Sequence, residues 1–178
     1  MKTLTEKRKA RAKKTAEVFT PDFLVNQMLD KLPVEVWTKG KTFCDPACGN
    51  GNFLVHVLWR KISKGHNPLD ALQSIYGVDI MQDNIRECRL RLLKIISIFE
   101  DIAEEHIKAV FKNIVYLNLK KYPTGSLEYK FEFDSRSNKR DIDRWLDMVK
   151  NGVLDTVDLP VPEESSGNTY GAGWLYNA

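Results

Sequence analysis

The chain is poor in the residues that staple small proteins or hold metals. It has three cysteines and three histidines in 178 residues. An odd cysteine count, with no exporting segment ahead of it, argues against a disulfide framework and for a reducing compartment. Cys44 and Cys48 are four positions apart, and Cys88 is distant with no histidine cluster beside it. Buried apolar thiols are therefore expected rather than a zinc site, and no metal-ligating residue is expected. No apolar run approaches the roughly 20 residues that span a bilayer. The N-terminus is charged with no apolar stretch behind it, which does not fit a secretory signal. The expectation is a cytoplasmic protein without membrane attachment. There is no internal repeat or low-complexity segment, and no two of the seven prolines are adjacent.

What the chain does have is length for one domain with a sizeable core and an uneven charge distribution. Seven of its 27 basic residues fall in residues 1–14 against Glu6 alone, leaving 20 basic and 23 acidic residues in the remainder. A basic arm on a near-neutral body can bind phosphate backbones weakly by releasing counterions; it can equally be a solvated terminus. The expected organisation is this arm at 1–14, a domain over 15–150, and an irregular tail over 151–178 rich in Pro, Gly, Ser and acids.

The domain is organised around Asp45-Pro46-Ala47-Cys48-Gly49-Asn50-Gly51-Asn52-Phe53. Residues 41–44 can form a short buried strand, and Phe53, Leu54, Val57, Leu58 and Ile62 recur at helical spacing to about Ser63. The glycines thus sit where strand becomes helix. There the backbone can take positive φ, a ligand can come close, and the helix start offers unpaired N–H groups. Ser74–Ile80 reads as a second strand ending in Asp79, an acid placed to accept hydrogen bonds from ribose hydroxyls. Together these describe a nucleoside-binding corner of a doubly wound sheet, although G-x-G at such a turn also describes an ordinary tight turn and Asp79 could simply cap the next helix.

Asp-Pro-Ala-Cys-Gly-Asn-Gly-Asn-Phe-Leu resembles motif I of the S-adenosylmethionine-dependent adenine-N6 DNA methyltransferases, (D/E)-P-A-C-G-x-G-x-F-L. Val18-Phe19-Thr20-Pro21 resembles motif X, which precedes motif I in the gamma arrangement, and Tyr76-Gly77-Val78-Asp79-Ile80 resembles motif II. The order X, I, II covers roughly residues 15–120. The resemblance implies a three-layer, Rossmann-like α/β fold that binds S-adenosylmethionine. It implies cofactor contacts at Asp45, Ala47, Gly49, Gly51 and Phe53, and at Phe19, Thr20 and Pro21 over the methionine end. It also gives Asp79 to the ribose and Ile80 to the adenine. Where family members often carry an acid for the adenine amino group, this chain has Asn118, whose amide oxygen accepts without charge.

Elsewhere, Thr20 is a candidate N-cap with Pro21 opening a helix striped by Phe23, Leu24, Met28, Leu29 and Leu32. Gly65–Pro68 reads as a loop carrying an exposed His66, with a short helical turn over 69–72. A long helix starts at Asp83, with Ile85, Leu92, Leu93, Ile96 and Phe99 toward the sheet and Arg86, Arg89 and Arg91 on a solvated face. Residues 100–111 read as helix, 113–116 as a third strand, Tyr129–Asp134 as a fourth, and Lys139–Lys150 as an amphipathic helix.

Motif IV of the family, (D/N/S)-P-P-(Y/F/W), holds the flipped adenine and accepts its amino hydrogens. It is expected near Asp134, where the chain reads Asp-Ser-Arg-Ser-Asn, and no Pro-Pro pair occurs anywhere. No catalytic residue can therefore be nominated, and the fold is expected to be incomplete on its C-terminal side. Two functions remain. One is a DNA adenine-N6 methyltransferase-like enzyme, competent only where a partner chain, such as a second methyltransferase subunit, or an unrecognised loop supplies the base pocket. The other is a non-catalytic binding module for cofactor, DNA or a restriction–modification partner.

Overall fold

The computed structural model describes residues 19–116 and 138–160 in full, and the backbone of 118–121 and 127–130. Helix α1 (Asp22–Asp30) leads through a 3₁₀ turn (Val34–Trp37) to β1 (Phe43–Asp45). Helices α2 (Asn52–Ser63) and α3 (Pro68–Gln73) return the chain to β2 (Ile75–Asp79). Helices α4 (Gln82–Ile96) and α5 (Glu104–Asn113) return it to β3 (Ile114–Tyr116). The three strands form a parallel sheet in the order β1-β2-β3, with Phe43 opposite Ile75, Asp45 opposite Gly77, and Gly77 opposite Ile114. Two βαβ steps of this kind bring the C-terminal ends of β1 and β2, with Asp45 and Asp79, to the same edge of the sheet.

Side chains alternate across the strands. Ile75 and Ile114 face the main core, built with Leu54, Leu58, Leu92, Leu93, Ile96 and Ile107 of the helices, all at 2% exposure or less. Val78 and Val115, on the other face, form a separate small cluster. Cys48 and Cys88 are buried, as expected of apolar thiols. Cys44 is not: it alternates between Phe43 and Asp45, away from the helices, and is exposed.

Several local expectations change. Pro21 rather than Thr20 is the cap residue of α1, and no side chain caps that helix. The α1 stripe is only partly buried: Leu29 is covered, whereas Phe23, Leu24, Met28 and Leu32 are exposed, since Val25 and Leu29 alone reach the core. His66 is half-buried, its Nε2 donating to the Trp37 carbonyl at 2.7 Å, and so pins the 3₁₀ turn. Helix α4 ends at Ile96, which leaves Phe99 outside the core, 5.7 Å from the Trp59 ring. The arginines of α4 are not one solvated face. Arg86 is exposed, but Arg91 is 6% exposed and Arg89 donates to the Ile114 carbonyl.

After β3, β4 (Asn118–Lys121) and β5 (Leu127–Lys130) pair antiparallel as a separate two-stranded sheet. The expected fourth strand therefore enters a hairpin at Tyr129 and Lys130 rather than the parallel sheet, and residues 131–134 lie outside the described residues. Helix α6 (Lys139–Lys150) starts at an Asn138 cap whose side chain accepts from the Asp141 N–H. It packs Ile142 and Trp145 inward, and Leu154 of the following 3₁₀ turn (Val153–Thr156) joins the core. Among the described residues no helix is long and apolar enough to cross a membrane.

Candidate functional site

The Asp45–Phe53 stretch leaves the end of β1 as a tight turn and becomes α2 at Asn52. The Cys48 N–H donates to the Val78 carbonyl at 2.9 Å, and the Gly51 N–H donates to the Cys48 carbonyl at 2.8 Å. The turn is thereby bound to the neighbouring strand and closed on itself. Gly49 and Gly51 have φ of 53° and 88°, the left-handed region where a side chain is strained. There is also little room for one. A Cβ on Gly51 would come within 2.5 Å of the Cys88 sulfur, and one on Gly49 within 3.1 Å of the Phe19 ring.

Asp79 joins the two strand ends. One carboxylate oxygen accepts from the Gly49 N–H at 3.0 Å. The other accepts from the Met81 N–H at 2.7 Å and from Asn84 Nδ2 at 3.2 Å. A carboxylate has about four acceptor positions, so one is left for an incoming hydroxyl. Asp45 accepts from the Ala47 N–H at 3.1 Å. Burial pushes its carboxyl above the ordinary aspartate range; the Ala47 bond opposes that shift, and the charge of Asp79 adds to it. Two carboxylates at one mouth, one of them short of compensation, favour a cationic ligand. Behind the turn, the hydrogen bond to Cys88 and burial hold the Cys48 thiol far above its usual value, so it is a packed neutral group and not a nucleophile.

The Phe19–Pro21 segment lies directly over this turn. Phe19 packs against Gly49, and Asn52 Nδ2 donates to the Thr20 carbonyl at 2.8 Å. Asn52 is itself held by Arg91, whose Nη1 donates to Asn52 Oδ1 and to the Asn50 carbonyl. Below, His56 Nε2 meets Asp22 at 3.3 Å, and Arg60 bonds Asp30 at 2.7 Å and Asn26 at 3.2 Å. Burial lowers the His56 pKa and the charges of Arg60 and Arg91 add to that, together outweighing Asp22, so the neutral ring is favoured and Nε2–H donates to the carboxylate. Asn50 Nδ2 donates to Glu87 at 3.0 Å, while its Oδ1 is buried without a hydrogen-bond partner.

The structure thus gathers Phe19, Thr20, Pro21, Asp45, Ala47, Gly49, Gly51 and Asp79 around one turn. Ile80 stands beside them, 46% exposed. Phe53 packs against the core. Asn118 opens β4, its backbone paired with Lys130, and its side chain lies outside the described residues. Asn52, Asn84 and Arg91 were not singled out from the sequence. Asn52 occupies a variable position of motif I, Asn84 lies beyond motif II in the first turn of α4, and Arg91 reads as one charge in a polar helix; nothing in their spacing signals the inward turn.

A family model described as N-6 DNA methylase matches residues 2–121. The chain belongs to the N-6 DNA methylase family. The X, I, II resemblance falls within the matched span, and the strand ends and turn just described are the family portion of the fold. The Type II methyltransferase M.VspI of Vibrio sp. (strain 343) is 32% identical over 87 residues, 49% of this chain and 19% of that protein. The match therefore spans about a fifth of that relative's length. No solved structure matches the chain at a significant level.

Proposed function

We propose that this N-6 DNA methylase family chain binds S-adenosylmethionine at the joined ends of β1 and β2 and serves as the cofactor-holding part of a DNA adenine-N6 methyltransferase. The observation that carries the proposal is the Gly49 N–H to Asp79 bond beside Phe19, which brings segments X, I and II together at one turn. The residues fit the cofactor's chemistry. The Asp45 and Asp79 carboxylates suit a ligand carrying a sulfonium and an ammonium. Asp79 retains an acceptor position for the ribose, and Ile80 offers an apolar face to the adenine. Phe19, Thr20 and Pro21 cover the methionine end, and the family resemblance gives Asn118, at the start of β4, to the adenine amino group. When bound, the cofactor would supply an electrophilic methyl group, and this chain's residues would hold and orient it, the carboxylates of Asp45 and Asp79 favouring its positive charge.

The base-holding part is a separate matter. No (D/N/S)-P-P-aromatic sequence occurs, and among the described residues β1 pairs on one side only. In this reading a partner chain or an unrecognised loop supplies the adenine pocket, and residues 15–150 act alone as a cytoplasmic cofactor-binding unit. The same two facts favour the second reading, a binding module without chemistry. Losing preorganised acceptors at a reacting group costs about 10²–10³ in rate each. The pure chain is therefore expected to bind cofactor but not to methylate duplex DNA. Calorimetry, with labelled-methyl transfer on the same sample, tests both. Absence of cofactor binding would overturn the proposal. Robust turnover by the pure chain would refute the need for a partner and mean that an unrecognised loop of this chain supplies the base pocket.

A further inference from the structure

A cavity of about 500 Å³ opens between α4, α5 and α6 beyond the end of β3. Three guanidinium groups line it, those of Arg86, Arg89 and Arg144, together with the rings of Phe111, Tyr116 and Trp145. Among the described residues Asp141 is the single acid on its wall. Arg89 lies 4.2 Å over the Phe111 ring and spends Nε and Nη2 on the Ile114 and Phe111 carbonyls. Its Nη1 makes no hydrogen bond among the described residues. Burial pushes its pKa down to about 10, which leaves it charged at pH 7 without a carboxylate partner. Arg86 and Arg144 are exposed, and neither has an ion pair or hydrogen bond among the described residues, Asp141 included.

Three cations around one hollow repel one another unless an anion enters. Guanidinium groups bind phosphate through paired N–H donors, and a base can stack on an open aromatic face. Phe111 and Trp145 are committed to each other edge to face at 5.2 Å, whereas Tyr116 is 44% exposed. S-adenosylmethionine carries no phosphate, so the cofactor does not account for this charge. Helix α6, which supplies Arg144 and Trp145, lies outside the span matched by the family model.

We propose that this cavity binds a nucleotide, its phosphate between Arg86, Arg89 and Arg144 and its base on Tyr116. The phosphate can come from a free nucleotide or from a DNA strand. The test uses thymidine 5′-monophosphate, thymidine and an oligothymidylate of eight residues, since none of these carries the adenine that the cofactor site takes. The full chain and its Arg86→Gln/Arg144→Gln variant are titrated by calorimetry at two salt concentrations, and Tyr116→Leu provides an independent arm. The wild type should bind the monophosphate at least tenfold more tightly than thymidine. The double variant should lose that preference while its S-adenosylmethionine affinity stays within twofold, and Tyr116→Leu should weaken the monophosphate severalfold. Equal monophosphate and oligonucleotide affinities mark a free nucleotide as the ligand. An oligonucleotide bound at least tenfold tighter, with the advantage erased in the double variant, marks a DNA strand. No preference for the phosphate in the wild type, or an unchanged preference in the double variant, overturns the site.

Discussion

Replacing Asp79 with alanine should damage the protein before any ligand is added. In the free chain the carboxylate already accepts from Gly49, Met81 and Asn84. Asn84 can rotate to other partners, but the Gly49 and Met81 amides are fixed by the backbone. Leaving a fully buried donor unmet costs about 1–3 kcal/mol; both of these bonds are part-buried, so the two together should cost about 2–4 kcal/mol, the lower part of the doubled range. Against a total stability of about 5–15 kcal/mol, the variant should still fold at 25 °C. For a chain of this size each kcal/mol moves the midpoint by roughly 2–4 °C, so unliganded Asp79→Ala should melt on the order of 5–15 °C lower. The same variant should lose cofactor affinity through both the missing ribose bond and the loosened turn. Thermal unfolding by circular dichroism, followed by calorimetry well below the midpoint, separates the two effects. A variant that melts with the wild type but no longer binds would refute the reasoning, because Asp79 would then serve the ligand alone.

Other outcomes follow from the same geometry. Asp45→Asn keeps the acceptor for Ala47 but removes a carboxylate whose folded pKa is raised. That charge costs the native state stability as pH rises from the unfolded value, about 3.9, through the elevated one, so the variant should melt higher than wild type at pH 7 and converge with it in acid. It should also bind the sulfonium cofactor less well, with a smaller loss for the demethylated product, which keeps the ammonium but no longer carries the sulfonium charge; paired calorimetric titrations can read the difference. Asn52→Ala should release the Thr20 carbonyl, weakening S-adenosylmethionine severalfold but adenosine hardly at all; equal losses for both ligands would mean a general unfolding of the turn. Deleting residues 1–14 should flatten the salt dependence of non-specific DNA binding, and an unchanged slope in a filter-binding series would reduce the arm to a solvated tail.

The turn and the strand ends were legible because few residue types satisfy their geometry. Gly49 and Gly51 need left-handed backbone, Gly51 has no space for a Cβ and Gly49 little, and Asp79 ends its strand, so the sequence shows them openly. Helices over residues 19–116 were legible from periodicity for the same reason: a buried helix face must repeat. What failed to show were residues whose meaning depends on a partner far along the chain. Arg89 and Arg91 are two apart on one helix, yet one reaches β3 and the other the glycine turn, 25 and 41 positions away. Cys44 looked like a core thiol because strand alternation fixes which residues share a face but not which face meets the helices. Tyr129 and Lys130 carried a valid strand pattern, but alternation does not name the neighbour, and theirs is β4 rather than the parallel sheet.

The closed turn also has a kinetic meaning. With the amides of Cys48, Gly49 and Gly51 already engaged, little backbone remains to be ordered when a ligand arrives, and the ordering cost that often slows and weakens association is small. Arrival is then a diffusional event at an open strand edge. The lifetime of the complex falls to whatever holds the ligand once it is seated, so differences in affinity among variants of this site should appear as differences in how long a ligand stays.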